Sequence, residues 1–297
     1  MNKPNLFLIG AAKCSTTSLA KTLSVHPDIF VPDVKEPHHF DLDDRLYAGN
    51  LEKYASLYRK KANELYSLDA TPSYISYPGV VIERMVECVG IHDVKIIAVL
   101  REPANRAYSH YMHLVRARGI TTGFGELIEK DYKGIEKRSP ATWMNIFSDG
   151  LYGKHLTDWN STFADNIQVC LYEDLISHTE STMRSICANL GIQYIPEFSR
   201  LRKENVMTAA RFPGLARFIS SENNLKKMAK KLIRSQNLRK GIVRRIKEKN
   251  KKTIIDRKAG INKCEIDKLK SLYSDDVAKL GLMFPDLDIE KKWGYGL

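Results

Sequence analysis

Near its N-terminus the chain passes from an apolar run to a helix through a turn made almost wholly of small and hydroxyl-bearing residues: Leu6-Phe7-Leu8-Ile9-Gly10-Ala11-Ala12-Lys13-Cys14-Ser15-Thr16-Thr17-Ser18-Leu19. The apolar strand ends at Gly10, and the hydroxyls open a helix at Thr16. Such a turn aims backbone N–H groups, the Lys13 ammonium and the hydroxyls of Ser15, Thr16, Thr17 and Ser18 at one spot. The positive end of the helix dipole points there as well, which suits a phosphate or a sulfate. An ordinary strand–turn–helix with Ser as N-cap would leave the lysine and the surplus hydroxyls unexplained. The loop is not G-x-x-x-x-G-K-[ST], because Lys13 comes third after Gly10 and no second glycine precedes it.

The first two hundred residues alternate short apolar runs with helical periodicity. Leu6–Gly10, Leu65–Asp69, Val94–Leu100 and Ile167–Tyr172 read as strands, nearly continuous in hydrophobicity as strands buried on both faces are. Thr16–Val25, Leu51–Arg59, Gly79–Val89, Pro103–Arg118, Tyr152–Phe163 and Thr179–Leu190 read as helices, with Pro103 suited to a first helical position and Gly191 to a helix stop. This alternation implies an α/β fold with a mostly parallel central sheet flanked by helices. From about Ser199 the strand signals stop. The expected organisation is a core over residues 1–198 and a helical, basic part over 199–297 packed on the same domain.

Charge sharpens that division. The chain has 297 residues, 47 Lys and Arg, 35 Asp and Glu, and a formal net charge of +12. The segment Lys226–Lys252 holds 13 of the basic residues against one acid, Glu248, so it carries the whole excess. Its apolar residues recur at helical spacing, which predicts one or two basic amphipathic helices. These could be docked helices with a solvated face, or a surface for an anionic glycan or an anionic membrane. The segment has no aromatic residue for base stacking, which argues against nucleic acid. No apolar run approaches the length that spans a bilayer, and Leu6 to Ile9 is too short for a signal peptide. Five widely spaced cysteines, none in a C-x-x-C pair, fit a reducing compartment. The expectation is a cytoplasmic chain, peripheral to the inner face of the membrane if the basic segment binds it.

A second anion site stands in Lys95-Ile96-Ile97-Ala98-Val99-Leu100-Arg101-Glu102-Pro103-Ala104-Asn105-Arg106-Ala107-Tyr108-Ser109. A buried strand ends in Arg101, at the edge where open α/β sheets bind ligands, and Ser109 lies in the helix that follows. Guanidinium and hydroxyl could share one phosphate. P-loop kinases and ATPases typically place a magnesium-holding acid at the end of such a strand. A base there favours an anion bound without a metal.

At these residues the chain resembles the sulfotransferases that use 3′-phosphoadenosine 5′-phosphosulfate (PAPS). The first loop is similar to their G-x-x-K-x-G-T-T, and Arg101…Ser109 to their R-[DN]-P-x-x-R-x-x-S. Further matches follow in order: Val25-His26-Pro27, Lys35-Glu36-Pro37-His38-His39-Phe40-Asp41 (K-E-x-H-F-F-D), Asp69-Ala70-Thr71-Pro72-Ser73-Tyr74, Gly150-Leu151-Tyr152…Trp159…Phe163, and Leu171-Tyr172-Glu173-Asp174-Leu175. They cover roughly residues 5 to 195 and resemble the heparan-sulfate-type, carbohydrate branch. Ser15 stands where that family usually has Gly, and its late K-G-R segment is absent. Arg202, Lys203 and Arg211 are candidates to replace it.

The resemblance implies the sulfotransferase fold, PAPS as co-substrate without a metal, and transfer to a hydroxyl or amine of a carbohydrate or glycolipid acceptor. It implies that Lys13, Cys14, Ser15, Thr16, Thr17 and Ser18 hold the 5′-phosphosulfate, and that Arg101 and Ser109 hold the 3′-phosphate. Lys13 would stabilise developing charge, and Glu36 would be the base, with His38 as the alternative base or its orienting partner. A metal site from His38, His39, Asp41, Asp43 and Asp44 is the competing reading of that acidic stretch. At the level of the whole protein the competitors are a P-loop kinase and a non-catalytic polyanion- or membrane-surface-binding protein.

Overall fold

A computed structural model describes residues 3–92, 94–131, 145–201, 208–210, 251–253 and 261–296. In chain order the elements that build the body are β1 (Leu6–Gly10), α1 (Thr16–Leu23), β2 (Ile29–Phe30), α2 (Asp44–Ala48), α3 (Leu51–Ser56), β3 (Tyr66–Asp69), α4 (Pro78–Val89), β4 (Lys95–Leu100), α5 (Pro103–Arg118), α6 (Phe124–Asp131), α7 (Tyr152–Phe163), β5 (Ile167–Leu171), α8 (Tyr172–Ser177) and α9 (Thr179–Leu190). Then come β6 (Thr208–Ala210), β7 (Lys251–Thr253), α10 (Lys263–Met283) and α11 (Ile289–Trp293).

The central sheet has the order β2-β3-β1-β4-β5, and every neighbouring pair is parallel. β1 is buried along its whole length, as is β4 after Lys95, because helices cover both faces. The chain builds β2 and β3 on one side of β1, then crosses to β4 and β5 on the other. The crevice at the carboxyl ends of β1 and β4 is therefore the topological switch point, where open α/β sheets take their ligands. Register fixes the two ligand-facing turns side by side: Gly10 pairs with Ala98, and the Ala11 amide donates to the Val99 carbonyl at 2.7 Å.

Gly10 is required by packing. A Cβ there would lie 2.4 Å from Ile75 Cγ2 and 3.1 Å from the Pro72 carbonyl, so the Thr71–Tyr74 turn rests directly on the strand end. Gly10→Ala is expected to cost about 1–3 kcal/mol by overpacking, read as a lowered Tm. Gly153 plays the same part at the start of α7, where a Cβ would meet the Asp276 carbonyl at 2.3 Å. That approach lets Asp276 of α10 accept the Gly153 and Lys154 amides at 2.8 and 2.7 Å and so cap α7. α10 buries Leu269, Tyr273, Val277 and Leu280 on one stripe, and the Tyr273 hydroxyl donates to the Phe147 carbonyl at 2.8 Å. At the far end of α1, buried His26 takes the Asp28 amide at Nδ1 (3.1 Å), which leaves Nε2–H to donate to the Gln193 carbonyl (2.8 Å). Val25-His26-Pro27 is thus a joint of the frame.

Helix α5 has the expected bounds, Pro103–Arg118: Glu102 caps its start and Gly119 closes it at φ 66°. Two expectations need correction. Tyr172 opens helix α8 and does not end strand β5. Strands also do not stop at Ser199, since β6 and β7 pair antiparallel, Thr208 with Thr253 and Ala210 with Lys251. Three-residue strands carry no period for a sequence to display. The predicted basic helices between residues 225 and 246, and Arg202, Lys203 and Arg211, lie outside the described residues. Among the described residues no helix is long and apolar enough to cross a membrane.

Candidate active site

The turn after β1 places two residues in the left-handed region, Lys13 (φ 74°) and Ser15 (φ 63°). Ser15 therefore adopts a backbone conformation that favours glycine, at a cost of about 1–2 kcal/mol. Its side chain makes no capping bond to α1, so it does not compete with an anion for that helix's N-terminus. Thr16 and Ser18 are buried, while Ser15 and Thr17 are half-buried at the rim. Cys14 is buried, with Sγ 3.8 Å from the Tyr152 hydroxyl, and burial pushes its thiol up to about 11. It is part of the turn and has no nucleophile chemistry at neutral pH.

Tyr152 joins this loop to the second turn, because its hydroxyl donates to the Arg101 carbonyl at 3.0 Å. The Arg101 guanidinium lies 4.6 Å over the Tyr172 ring, so the start of α8 serves as its shelf. Glu102, which caps α5, accepts from the Tyr295 hydroxyl at 2.9 Å. Glu173 accepts the Glu102 amide (3.2 Å) and the Trp293 indole N–H (3.1 Å), and Lys292 pairs with Asp174 at 2.9 Å. The Tyr-Glu-Asp-Leu segment and residues 292–295 thus brace the Arg101 turn.

Along α5 the residues Arg106, Ser109, His110, His113 and Arg116 recur at helical spacing and share one face. The charges on this face act on Lys13. Burial, then Arg116 and Arg106, lower the Lys13 pKa, while Glu36 opposes them. Burial holds His110 down at about 3 with help from Arg106 and Lys13, and His113 at about 4 with help from Lys13 and Arg116. Both imidazoles are neutral at pH 7, and the cleft's charge is that of lysine and arginine. Arg106 is fully buried and donates to the Ile146 carbonyl. Sequence reading singled out Ser109 on this face and missed His113 and Arg116, although spacings of four and seven residues from Ser109 point to them.

The loop between β2 and α2 is tied to the turn that follows β3. Glu36 contacts Lys35, and its Oε2 is 3.7 Å from His38 Nε2. His38, at φ 52°, bonds through Nδ1 to Asp41 Oδ2 at 3.0 Å, with the Ser73 hydroxyl 3.3 Å away. Ser73 itself donates to Asp41 at 2.5 Å. The ion pair with His38, aided by Lys35 and opposed by burial, pulls Glu36 down to about 2. Asp41 and then Glu36 raise His38 to about 10. At neutral pH this is a carboxylate beside an imidazolium.

Of the five residues in the metal-site reading only His38 and Asp41 meet; the other three face elsewhere. His39 is buried, stacked on Tyr54 at 4.1 Å and held at about 4 by burial. Asp43 caps α2, and Asp44 pairs with Arg84 at 2.6 Å. Among the described residues no group of three or more His, Cys, Asp and Glu is arranged to hold a metal ion.

Fold and site together define a parallel α/β protein with cationic turns after two adjacent strands, β1 and β4, and a carboxylate–imidazolium pair on the loop after β2. The sulfotransferase domain model matches residues 3–272. The chain belongs to the sulfotransferase family. It is 30% identical over 195 residues to mouse heparan sulfate glucosamine 3-O-sulfotransferase 3B1, covering 65% of this chain and 47% of that protein. It is 29% identical over 168 residues to the bifunctional heparan sulfate N-deacetylase/N-sulfotransferase 1 of Caenorhabditis elegans, covering 54% and 19%. The chain thus spans about half the length of the mouse enzyme or less of such relatives. A sulfotransferase from Alicyclobacillus acidocaldarius superposes with a TM-score of 0.68 at 24% identity, over 99% of this chain and 100% of that one.

Proposed function

We propose that the chain is a PAPS-dependent sulfotransferase that sulfates a hydroxyl or amine of a carbohydrate-type acceptor. One observation carries this reading: the Lys13 turn and the Arg101 turn end adjacent parallel strands and are joined through Tyr152, whose hydroxyl lies 3.8 Å from Cys14 Sγ and donates to the Arg101 carbonyl at 3.0 Å. The donor set fits a doubly anionic nucleotide. The α1 amides, Ser15, Thr17 and Lys13 would hold a 5′-phosphosulfate, and Arg101 with Ser109 a 3′-phosphate. PAPS supplies an activated sulfuryl group. Lys13 would meet the charge left on the phosphate oxygen as the S–O bond breaks. Glu36 would take the proton of the attacking hydroxyl or amine, with His38 and Lys35 fixing its carboxylate. Likeness to heparan sulfate enzymes supports a carbohydrate acceptor.

The test is transfer of labelled sulfate from PAPS to a panel of oligosaccharides and glycolipids. Transfer only to small phenols would overturn the acceptor class. Adenosine 3′,5′-bisphosphate (PAP) should bind without magnesium, and a magnesium-dependent preference for ATP would point to a kinase instead. Arg101→Ala should weaken PAP binding about ten- to hundredfold, the worth of a charged hydrogen bond, in a calorimetric titration.

The reading extends to place. All five cysteines are free thiols, which supports a reducing, cytoplasmic setting. The Lys226–Lys252 segment would then draw the chain to acidic glycan or to anionic lipid. Deleting it should leave transfer to a small acceptor intact and reduce sedimentation with anionic vesicles. Recovery of the chain solely from an oxidising compartment would refute the location.

A further inference from the structure

Glu36 sits on a loop with little secondary structure of its own, so something must hold it. The loop's backbone is tied to Thr71 and Tyr74. The His38 amide points at Thr71 Oγ1 (3.5 Å), and the His39 and Phe40 amides both donate to the Tyr74 hydroxyl (3.1 and 3.3 Å). Each of these hydroxyls in turn donates to one buried carboxylate: Thr71 to Asp69 Oδ1 at 2.6 Å and Tyr74 to Asp69 Oδ2 at 3.1 Å. Tyr54 of α3 donates to the same Oδ2 at 2.8 Å, and Asp69 is fully buried at the end of β3.

A hydroxyl owns one proton. An ionised carboxylate can only accept, so Thr71 and Tyr74 both spend that proton on Asp69 and turn lone pairs toward the loop amides. We propose that Asp69 is a positioning residue: by fixing the direction of these two hydroxyls it anchors the backbone of His38, His39 and Phe40, and so holds Glu36 in place beside the His38 imidazole. The catalytic half of this inference rests on the sulfuryl-transfer reading, whereas the anchoring half does not.

Asparagine shows why the charge matters. Whichever way its carboxamide faces, the NH2 meets Thr71 or the tyrosine pair and donates where Asp69 accepts. At least one hydroxyl proton is then displaced toward an N–H it should receive. Protonation of Asp69 acts in the same sense. Burial raises this carboxyl to about 6, against three hydroxyl bonds that lower it. The groups facing it are the Tyr54, Tyr58 and Tyr74 phenols, all held well above their ordinary range, and the Asp41 carboxylate. None of the phenols titrates near pH 6.

The experiment compares the full chain with Asp69→Asn and Tyr74→Phe by three readings. Hydrogen exchange at the amides of residues 38–40 should quicken in both variants, while exchange at β1 and β4 stays slow. PAP affinity should be unchanged. The kcat should fall about ten- to hundredfold in Asp69→Asn, the scale of a misplaced reacting group, with a smaller fall in Tyr74→Phe. The wild-type kcat should decline as pH drops through about 6, and the Asn variant should lack that limb. Wild-type exchange and kcat in Asp69→Asn would overturn the proposal, as would a loss of PAP binding with general loss of β1 and β4 protection in Tyr74→Phe. If Asp69→Asn does not fold, Tyr74→Phe decides alone, since it keeps the carboxylate with its Thr71 and Tyr54 bonds. A chain that transfers no sulfuryl group would defeat the proposed function, yet the exchange rates would still report whether Asp69 anchors the loop.

Discussion

Glu36→Gln should lower kcat by roughly a hundred- to ten-thousandfold, the contribution of a positioned general base, while PAP binds as before. Glutamine keeps the size of the side chain and one contact to His38, but it cannot take a proton. A carboxylate held at about 2 is a weak base, so its role needs a physical account. The acceptor hydroxyl becomes acidic only as its oxygen bonds to sulfur, and transfer to a weak base can then run downhill late in the reaction. What Glu36 needs is to be ionised and aimed, and the imidazolium of His38, raised to about 10, does both. The sign of the pH dependence follows. Glu36 has a depressed pKa, so in the wild type it stays ionised down to about pH 2 and gives no acid limb in a working assay. His38→Gln removes the largest of the influences that lower it. A Glu36 limb should then appear toward the ordinary carboxylate value of 4.5, distinct from the Asp69 limb near 6, and combining His38→Gln with Asp69→Asn isolates it in kcat between pH 4 and 6. A Glu36→Gln enzyme that turns over at the wild-type rate would leave His38 as the remaining candidate. A base held as an imidazolium to about 10 would then need a different arrangement of the loop.

How far the site could be read from sequence depends on how local its chemistry is. The Gly10–Ser18 turn is legible because the residues that make it also do the binding. Helix α5 is legible because Pro103 and Gly119 punctuate it. Adjacent His38 and His39 are a contrary case. The left-handed backbone of His38 turns its ring toward Asp41 and Glu36, and its neighbour stacks on Tyr54 in the core. Nothing in a histidine pair states which one faces water. The Asp69 hub and the bracing of Arg101 by Trp293 and Tyr295 join residues far apart in the chain, so no window of sequence contains them. β2 failed to register as a strand for a simpler reason, since two residues cannot show alternation.

Lys13→Ala should reduce kcat about a hundred- to a thousandfold, as loss of one preorganised donor to developing charge does elsewhere. The same substitution should raise the Tm of the free protein, and the reason is the cleft itself. Lys13 is desolvated among Arg116 and Arg106, with Glu36 as the acid that opposes them, and its pKa lies below the unfolded value of 10.5. A lysine whose folded pKa is depressed binds fewer protons when folded, so its stability contribution is present above 10.5 and is lost as pH falls through the folded value. At pH 7 the charged side chain is therefore a cost to the empty fold, and alanine removes it. A bound anion reverses the sign, because phosphosulfate oxygens beside the ammonium would favour the charged form. The Tm rise produced by saturating PAPS should accordingly be smaller in the variant than in the wild type. Calorimetric melts with and without PAPS read both effects, and a quench assay reads kcat. A variant that loses rate but melts lower when empty would show that Lys13 is held by contacts that this electrostatic account omits. Unchanged rate would remove Lys13 from the chemistry altogether.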